Sequence, residues 1–514
     1  MRVILWTANS VSTLTQPLPA RERGLHLDVT MQPKLELLDK ELIARVLDEA
    51  FALLWEPGVK VQAPAASELL ASAGARVEGE IVHIPEALAR QALATAPHEF
   101  CLYDRQGQPA VHYAGDAVHF DPGSSCTHVL DPATLEHRPS QANDLVRLVQ
   151  VTEMLPQYAA QSTAVVCNDV PQEMGDLYRL FLVLLYSNKP VVTGAFTVRT
   201  TQVMIDLLAA DSGGRAALKA KPRAVFDVCP SPPLNWSAFA AQNLVDLARA
   251  GVPAQMVSMP LAGATAPVTL LGAIVQHAAE SLSGITIHQL AQPGAPIVWG
   301  GAPAIFDMRW GTTPMGAVET AMITAGYAQI GKHLGLPTHA YLGASDAKIV
   351  DAQAGLESGV SAVLGALAGI NMISGAGMLD FLACFSVEKL VVDAEAIAMA
   401  QRLLQGLQPR TATLATDTFA QVGLKGDFLK LKETRQLFRL EQSLPSPVID
   451  RGSLRAWQEG GCRDTLARAQ ARLQELLASY QRPDLSPAVQ GELYTIVEGE
   501  ARRLGLERLP GVNA

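Results

Sequence analysis

Charged side chains gather in the loops that follow two neighbouring apolar runs in the second half of the chain. Asp307 and Arg309 come after the first run, and Ser345, Asp346 and Lys348 come after the second. Carboxylates, a guanidinium and an ammonium in one loop region could position a charged substrate through hydrogen bonds and ion pairs. These loops are therefore the first candidate for a functional site.

The elements around these loops read as strands alternating with helices. Short apolar runs at Pro296–Trp299, Thr338–Leu342 and Ile370–Ser374 are separated by segments long enough for a helix. Thr313 is predicted to cap the first of these helices, with Pro314 in its first turn. Repeated β-helix-β units indicate parallel strands with right-handed crossovers, and the loops at the carboxyl ends of such strands carry the chemistry.

The same alternation extends over residues 141–406 and predicts an α/β fold, a TIM (β/α)8 barrel. A loosely ordered arm is predicted at 1–37, an α+β cap with hairpins at 38–140, and a mostly helical extension at 407–514. Such an extension packs on the side of the barrel or on a neighbouring subunit, and we expect a homo-oligomer. The eight predicted strands are Ala160–Val166, Pro190–Thr193, Ala224–Val228, Ala254–Met259, Pro296–Trp299, Thr338–Leu342, Ile370–Ser374 and Leu390–Val392.

The composition argues against several classes of function. The net charge of −10 and the lack of a lysine/arginine run argue against nucleic acid as a partner. Glycine, serine and asparagine interrupt the most apolar stretch, Val360–Met378, so no membrane span is expected. The six cysteines are scattered without a CxxC pair or a zinc-type spacing to histidine, so we expect reduced thiols, a cytoplasmic location and no metal.

Several motifs in this region resemble one enzyme family. The pattern GG-x5-DMR-x-G begins at Gly300, GLP follows at Gly335, G-x-SDAK-x2-DAQAG-x-E begins at Gly343, and N-x-I-x-GAG begins at Asn371. In order and spacing they are similar to the trimethylamine/glycine betaine methyltransferase family, the corrinoid-protein methyltransferases. The resemblance is strongest over 296–407. The family carries a His-Thr pair after GDFL, whereas this chain has Lys432-Glu433-Thr434. This difference bears on the identity of the substrate more than on the predicted fold.

The resemblance implies a TIM barrel and methyl transfer from an amine to cob(I)alamin on a separate corrinoid-binding protein. Family members that act on trimethylamine carry pyrrolysine, which this chain lacks, so the comparison favours the branch that acts on quaternary amines such as glycine betaine. The corrinoid is expected to come with the partner protein. None of the eleven histidines has aspartate two places before it, as the cobalamin-binding Asp-x-His-x-x-Gly motif requires.

A quaternary ammonium binds aromatic faces by cation–π attraction. The candidate cage is Phe306, Trp310 and Tyr341, with Trp299 as a further candidate; each of these residues could instead serve core or cap packing. Arg309 is the candidate donor to a substrate carboxylate, with pairing to Asp307 or Asp346 as the alternative.

The candidate catalytic residues are Asp346, Glu357 and His339. His339 shares a strand face with Tyr341, although a lone strand histidine is more often a core residue. Asp346 and Glu357 either shape the site or tie loops together, and Asp351 is a natural helix cap. The glycines predicted to face the corrin ring, each of which could equally serve a turn, are Gly300, Gly301, Gly343 and Gly375.

Two other functions fit the sequence. A Schiff-base lyase on the same barrel would use Lys348 as its nucleophile, although carboxylates near Lys348 would raise its pKa and weaken it. A betaine-binding protein without turnover would explain the missing His-Thr pair. The sequence alone does not choose among the methylated amines.

Overall fold

Eight short parallel strands form the centre of the structure. The computed structural model describes residues 32–424 and 426–512. The predicted arm at 1–37 lies mostly outside these residues. In chain order the parallel strands are β1 His119–Pro122, β2 Gln161–Ser162, β3 Val191–Thr193, β4 Ala224–Val228, β5 Ala254–Met256, β6 Ile297–Val298, β7 His339–Tyr341 and β8 Met372–Ala376.

The eight strands belong to two hydrogen-bonded sheets. One has the order β2-β3-β4-β5-β6, and the other has the order β7-β8-β1. The sheets meet at both edges through a few backbone hydrogen bonds and isolated bridges instead of a regular ladder. His339 N–H donates to the Trp299 carbonyl at 3.0 Å, and Ala159 N–H donates to the Phe120 carbonyl at 2.9 Å. The ladder is interrupted at these junctions, so the strands do not form one continuous sheet.

Seven of the predicted strands are confirmed, and the eighth is wrong. Leu390–Val392 lies inside the helix Val387–Leu404, which the Ser386 side chain caps by accepting from the Lys389 amide. The apolar run is the buried face of that helix. The missing strand is β1, which comes from the predicted cap and pairs in parallel with β8. The predicted boundary at residue 140 therefore does not separate the parallel strands from the residues before them.

An antiparallel hairpin closes the amino-terminal end of the parallel strands. Its strands, Phe100–Tyr103 and Pro109–Tyr113, pair directly. The hairpin contributes Leu102, Val111 and Tyr113 to a small buried cluster with residues in or directly before the parallel strands, namely Ala160, Val192, Val225, Val298 and Met372. Because apolar side chains fill this end, only the carboxyl end remains for a polar site.

Helices surround the strands. The predicted helix start at Thr313 and Pro314 is wrong: this segment is a loop, and the helix begins at Val318. The helices are α1 Lys40–Trp55, α2 Pro64–Ser72, α3 Glu86–Leu93, α4 Ala142–Met154, α5 Gly175–Tyr186, α6 Val198–Ser212, α7 Arg215–Ala220, α8 Ala238–Ala250, α9 Leu270–Ala291, α10 Val318–His333, α11 Ala352–Leu367, α12 Val387–Leu404, α13 Thr416–Val422, α14 Lys432–Glu441, α15 Leu454–Glu459, α16 Thr465–Ser479 and α17 Pro487–Arg503.

Short strands outside the parallel set form small sheets. The remaining strands are Val59–Val61, Arg76–Glu78, Ile81–His83 and Asn235–Trp236 in one sheet, His128–Leu130, His137–Pro139, Met378–Leu379 and Cys384–Phe385 in a second, and Leu261–Ala262 with Ala304–Ile305 in a third.

Among the described residues, no helix is long and apolar enough to cross a membrane.

The carboxyl-terminal extension packs on the side of the same chain, which is one of the two predicted arrangements. Helix α16 contacts α12 and α4, and α17 contacts α6 and α5. The Tyr178 hydroxyl donates to the Pro510 carbonyl at 2.6 Å. The last described residues are therefore tied to α5, a helix next to the candidate site.

Candidate functional site

A cavity of about 260 Å³ opens at the carboxyl end of the parallel strands. Its wall is formed by residues that lie at or just after the ends of six of these strands, together with residues of α8. The side chains that matter for binding are Ser124, Ser125, Phe196, Asp227, Phe239 and Tyr341. Because they come from distant parts of the chain, only the fold brings them together.

Three aromatic side chains line this cavity. Phe196 follows β3, Phe239 lies in the first turn of α8, and Tyr341 ends β7. Phe196 and Phe239 are 47% and 43% exposed, whereas Tyr341 is only 8% exposed. Aromatic faces around a small cavity attract a cation that offers no hydrogen-bond donor. The arrangement suits a quaternary ammonium.

Asp227 supplies a carboxylate to the same cavity. Its Oδ2 accepts from the Tyr341 hydroxyl at 3.0 Å, and its Oδ1 accepts from Gln255 Nε2 at 2.6 Å. Burial raises the pKa of Asp227 to about 6, although these two hydrogen bonds act in the opposite direction. A cation bound beside Asp227 would favour its ionised form.

Arg179 lies behind the cavity wall on α5. Its Nη1 donates to Ser125 Oγ at 2.8 Å and to the Thr163 carbonyl at 3.0 Å, and its guanidinium lies 4.9 Å from the centre of the Phe196 ring. The side chain is fully buried, and its Nε and Nη2 find no acceptor among the described residues. Burial lowers the pKa of Arg179, while Asp176 and Asp227 oppose that shift.

His339 lies in a buried polar chain and is not part of the cavity wall. Its Nε2 is 3.0 Å from Ser374 Oγ, which donates to Asp121 Oδ1 at 2.5 Å. Burial lowers the pKa of His339 to about 3 and raises the pKa of Asp121 well above its usual value. The imidazole is therefore neutral, and its catalytic role stays a prediction.

Of the predicted cage, the cavity contains only Tyr341. The Arg309 side chain is 82% exposed and pairs with Asp307 at 2.6 Å, which is the alternative that the sequence left open. Trp310 is 79% exposed, and neither it nor Phe306 lines the cavity. The Trp299 indole is fully buried, and its Nε1 donates to the carbonyl of Tyr327 on α10, so it faces a helix.

Asp346 and Glu357 bind loops of the chain itself. Asp346 accepts from the backbone amides of Met315 and Gly316 at 2.8 and 3.0 Å, and burial raises its pKa to about 6. Glu357 Oε2 accepts from Ser345 Oγ at 2.6 Å and from the Asp346 amide at 2.8 Å. Neither carboxylate lines the cavity. Both carboxylates tie the loop after β7 to neighbouring segments, and a catalytic role for them stays a prediction.

Other polar residues of this loop also have protein partners. Lys348 Nζ lies 2.9 Å from Asp380 and 2.6 Å from the Asp346 carbonyl. The Asp351 side chain caps α11 by accepting from the Ala354 amide, as its position predicts.

Of the four glycines predicted to face the corrin ring, Gly300, Gly301 and Gly375 lie close to protein atoms, whereas Gly343 has space for a side chain but a positive φ. A Cβ on Gly300 would lie 2.6 Å from the Met256 carbonyl, and one on Gly301 would lie 2.5 Å from His277 Nε2. Gly343 and Gly375 have φ values of +83° and +148°. Packing and backbone conformation are sufficient reasons for glycine here, and contact with a corrin ring stays a prediction.

Sequence reasoning missed Phe196, Phe239, Asp227 and Arg179. Two of them carry a signal in the sequence: Asp227 is the one charge in the apolar strand AVFDV, and Arg179 is a lone cation within the apolar stretch LYRLFLVLLY. A charge inside a segment that must be buried marks either a paired structural residue or a site.

Comparisons with known proteins agree with the resemblance in the motifs. The family described as trimethylamine methyltransferase (MTTB) matches residues 17–505. A trimethylamine methyltransferase MttB of Desulfitobacterium hafniense is 30% identical over 472 residues, 91% of this chain and 95% of that protein. A glycine betaine methyltransferase of the same species is 28% identical over 92% of this chain and 99% of that protein.

Among solved structures, the monomethylamine methyltransferase MtmB of Methanosarcina barkeri matches with a TM-score of 0.48 and 12% identity, covering 86% of this chain and 89% of that one. The family match covers nearly the whole chain and includes every residue of the cavity described above. The protein is therefore a methyltransferase that belongs to the trimethylamine methyltransferase (MTTB) family.

Proposed function

We propose that this protein transfers a methyl group from a quaternary amine to the reduced cobalt of a corrinoid held by a separate protein. The observation that carries the proposal is the cavity at the carboxyl ends of the strands, which is lined by Phe196, Phe239 and Tyr341 together with the Asp227 carboxylate. Aromatic faces and one carboxylate complement a permanent cation that offers no hydrogen-bond donor.

The reaction needs little chemistry from the protein. The cobalt lone pair forms the new bond to the methyl carbon, and the electron pair of the breaking carbon–nitrogen bond stays on nitrogen, which leaves as a neutral tertiary amine. No proton is transferred. The residues of the cavity hold the cation, keep water away and direct one methyl group outward, which is catalysis by positioning and desolvation.

Two further parts of the proposal concern the fold and the partner. The eight parallel strands act as a (β/α)8 barrel of the TIM type, which would explain why the cavity lies at their carboxyl ends. A corrinoid-binding protein docks over this opening. Within the whole sequence no histidine stands in an Asp-x-His-x-x-Gly motif, so the corrinoid belongs to the partner.

Methyl transfer to chemically reduced cob(I)alamin tests the proposal directly. The full chain is mixed with cob(I)alamin and, one at a time, glycine betaine, proline betaine, carnitine, γ-butyrobetaine and trimethylamine, and the methylcobalamin spectrum is followed. We expect methyl transfer from at least one quaternary amine. A response to trimethylamine alone would contradict the proposal, and tight quaternary amine binding without transfer would support the binding-protein alternative.

Leucine in place of Phe239 is expected to raise the KM for the quaternary amine roughly five- to thirtyfold, because a desolvated cation–π contact contributes about 1–2 kcal/mol. Phe239 is the better test than Phe196, since Phe196 also contacts Arg179. Trp310→Ala is the matched control and should change KM less than about twofold, because Trp310 is solvent-exposed outside the cavity wall. Equal effects of the two changes would contradict the assignment of the cage.

The lyase alternative has its own test. Lys348 is half exposed and pairs with Asp380, whereas a Schiff-base nucleophile needs a desolvated and unpaired amine. Borohydride reduction with carbonyl substrates should leave the mass of the protein unchanged.

A further inference from the structure

The guanidinium of Arg179 is paired on one edge only. Nη1 uses the Ser125 hydroxyl and the Thr163 carbonyl as acceptors, whereas Nε and Nη2 have no acceptor in the part of the chain that the structure describes. The N–H groups of Nε and Nη2 point to the same side of the planar group. They form the fork that binds both oxygens of a carboxylate in parallel.

The surroundings of Arg179 connect this fork to the cavity. Ser125 and Phe196 contact the guanidinium, and both of them line the cavity. Nε and Nη2 have no exposed surface and Arg179 does not itself line the cavity, so the wall residues that cover the guanidinium, among them the 47% exposed Phe196, must shift before a ligand reaches the fork. A buried cation with unused donors is unfavourable unless an acceptor arrives, and a ligand in the cavity is the acceptor that this arrangement favours.

Asp227 gives the site a second charge of the opposite sign. Its carboxylate lines the cavity and is held by Tyr341 and Gln255 rather than by Arg179. Within the described residues the two charges make no direct ion pair with each other, so each can pair with a charge on the ligand. A ligand that carries both a cation and a carboxylate satisfies the two together, whereas a simple trimethylammonium compound leaves the arginine fork unpaired.

We propose that Arg179 is the specificity-determining residue of this site and binds the carboxylate of a zwitterionic quaternary amine, a betaine, through its Nε and Nη2 groups. This inference rests on the proposed function for the ammonium part of the ligand. It assigns to Arg179 the role that the sequence suggested for Arg309, whose guanidinium is instead exposed and paired with Asp307.

Binding measurements on the full chain by titration calorimetry test the inference without cobalamin. The probes are glycine betaine and choline, which share the trimethylammonium group but differ in carboxylate against hydroxyl. The wild-type protein should bind glycine betaine at least tenfold more tightly than choline. Arg179→Gln should weaken glycine betaine binding about 30-fold and choline binding less than threefold, since only the carboxylate uses the fork.

Arg179→Lys keeps the charge without the fork and should give an intermediate loss. Equal losses for the two probes in Arg179→Gln would overturn the inference. If that variant does not fold, the wild-type comparison still decides, because equal affinity for glycine betaine and choline also overturns it. Selective betaine binding without methyl transfer to cob(I)alamin would support the anion site at Arg179 and contradict the proposed methyl transfer. The failure of the inference and the failure of the proposed function are therefore distinguishable.

Discussion

Asparagine in place of Asp227 is expected to raise the KM for the quaternary amine on the order of a hundredfold without lowering kcat. A carboxylate roughly 5 Å from a cation in a partly buried site contributes about 3 kcal/mol at an effective dielectric constant of about 20. The positive charge is complete in the bound amine and decreases as the carbon–nitrogen bond breaks. Asp227 therefore stabilises the bound ground state at least as much as the transition state, and its loss appears in KM.

The same variant should remove a pH dependence. Burial raises the pKa of Asp227 to about 6, so the carboxyl group of the free protein becomes neutral as the pH falls through 6. The cation binds the ionised form, and KM for the wild-type protein should rise about tenfold for each pH unit below 6. In Asp227→Asn, KM should be constant between pH 5 and 8.

Asp346 is the internal control for this pH profile. Burial raises its pKa to about 6 as well, but its carboxylate accepts from the amides of Met315 and Gly316 and does not line the cavity. A pH-dependent KM that persists in Asp227→Asn would assign the titration to Asp346 and contradict the role of Asp227. Steady-state kinetics with cob(I)alamin at each pH give both KM and kcat.

The second large effect concerns stability. Asparagine in place of Asp393 is expected to reduce the free energy of unfolding by about 3–5 kcal/mol, because it leaves the buried ammonium of Lys389 without its counter-charge. Lys389 is fully buried, and its Nζ lies 2.5 Å from Asp393 Oδ2 and 2.7 Å from Ser358 Oγ. The same Asp393 oxygen accepts from the Gly377 amide at 2.7 Å.

The double variant Lys389→Met, Asp393→Leu separates the lost charge pair from lost packing. It removes both charges, so it should unfold at a higher temperature than Asp393→Asn alone. Thermal unfolding, followed by circular dichroism, gives the unfolding temperatures of the wild-type protein, the single variant and the double variant. If Asp393→Asn is as stable as the wild-type protein, the prediction is contradicted. Because Lys389 also approaches the Gly343 carbonyl at 3.3 Å, we expect Asp393→Asn to disturb the loops after β7 and β8 as well.

Much of the architecture follows from local sequence patterns. Apolar runs bounded by glycine and proline predicted seven of the parallel strands, and the hairpins and Asp351 cap followed from turn and capping residues. The error at Leu390–Val392 has a physical cause. A short apolar run fits one face of a buried helix as well as a strand, and its period alone does not distinguish them.

The strand that replaces it lies among the hairpins predicted for the cap, and its parallel pairing with β8 could not be recognised from its own residues. His119–Pro122 contains an aspartate and a proline, both of which disfavour strands. Asp121 is tolerated at this buried position because Ser374 on the neighbouring β8 donates to it. That partner lies 253 residues away in the chain.

The sequence by itself determined the family, the alternation of strands and helices, and one residue of the cavity, Tyr341. Only the tertiary structure decided the rest of the site. Phe196 and Asp227 line one cavity because parallel strands bring their carboxyl ends to one place, and Arg179 reaches its wall from α5 through the contact with Phe196. Arg309 and Trp310 carry the expected chemistry in an adjacent loop, but that loop leaves their side chains in solvent. Residue type sets what a side chain can bind, and distance in the folded chain sets whether it does.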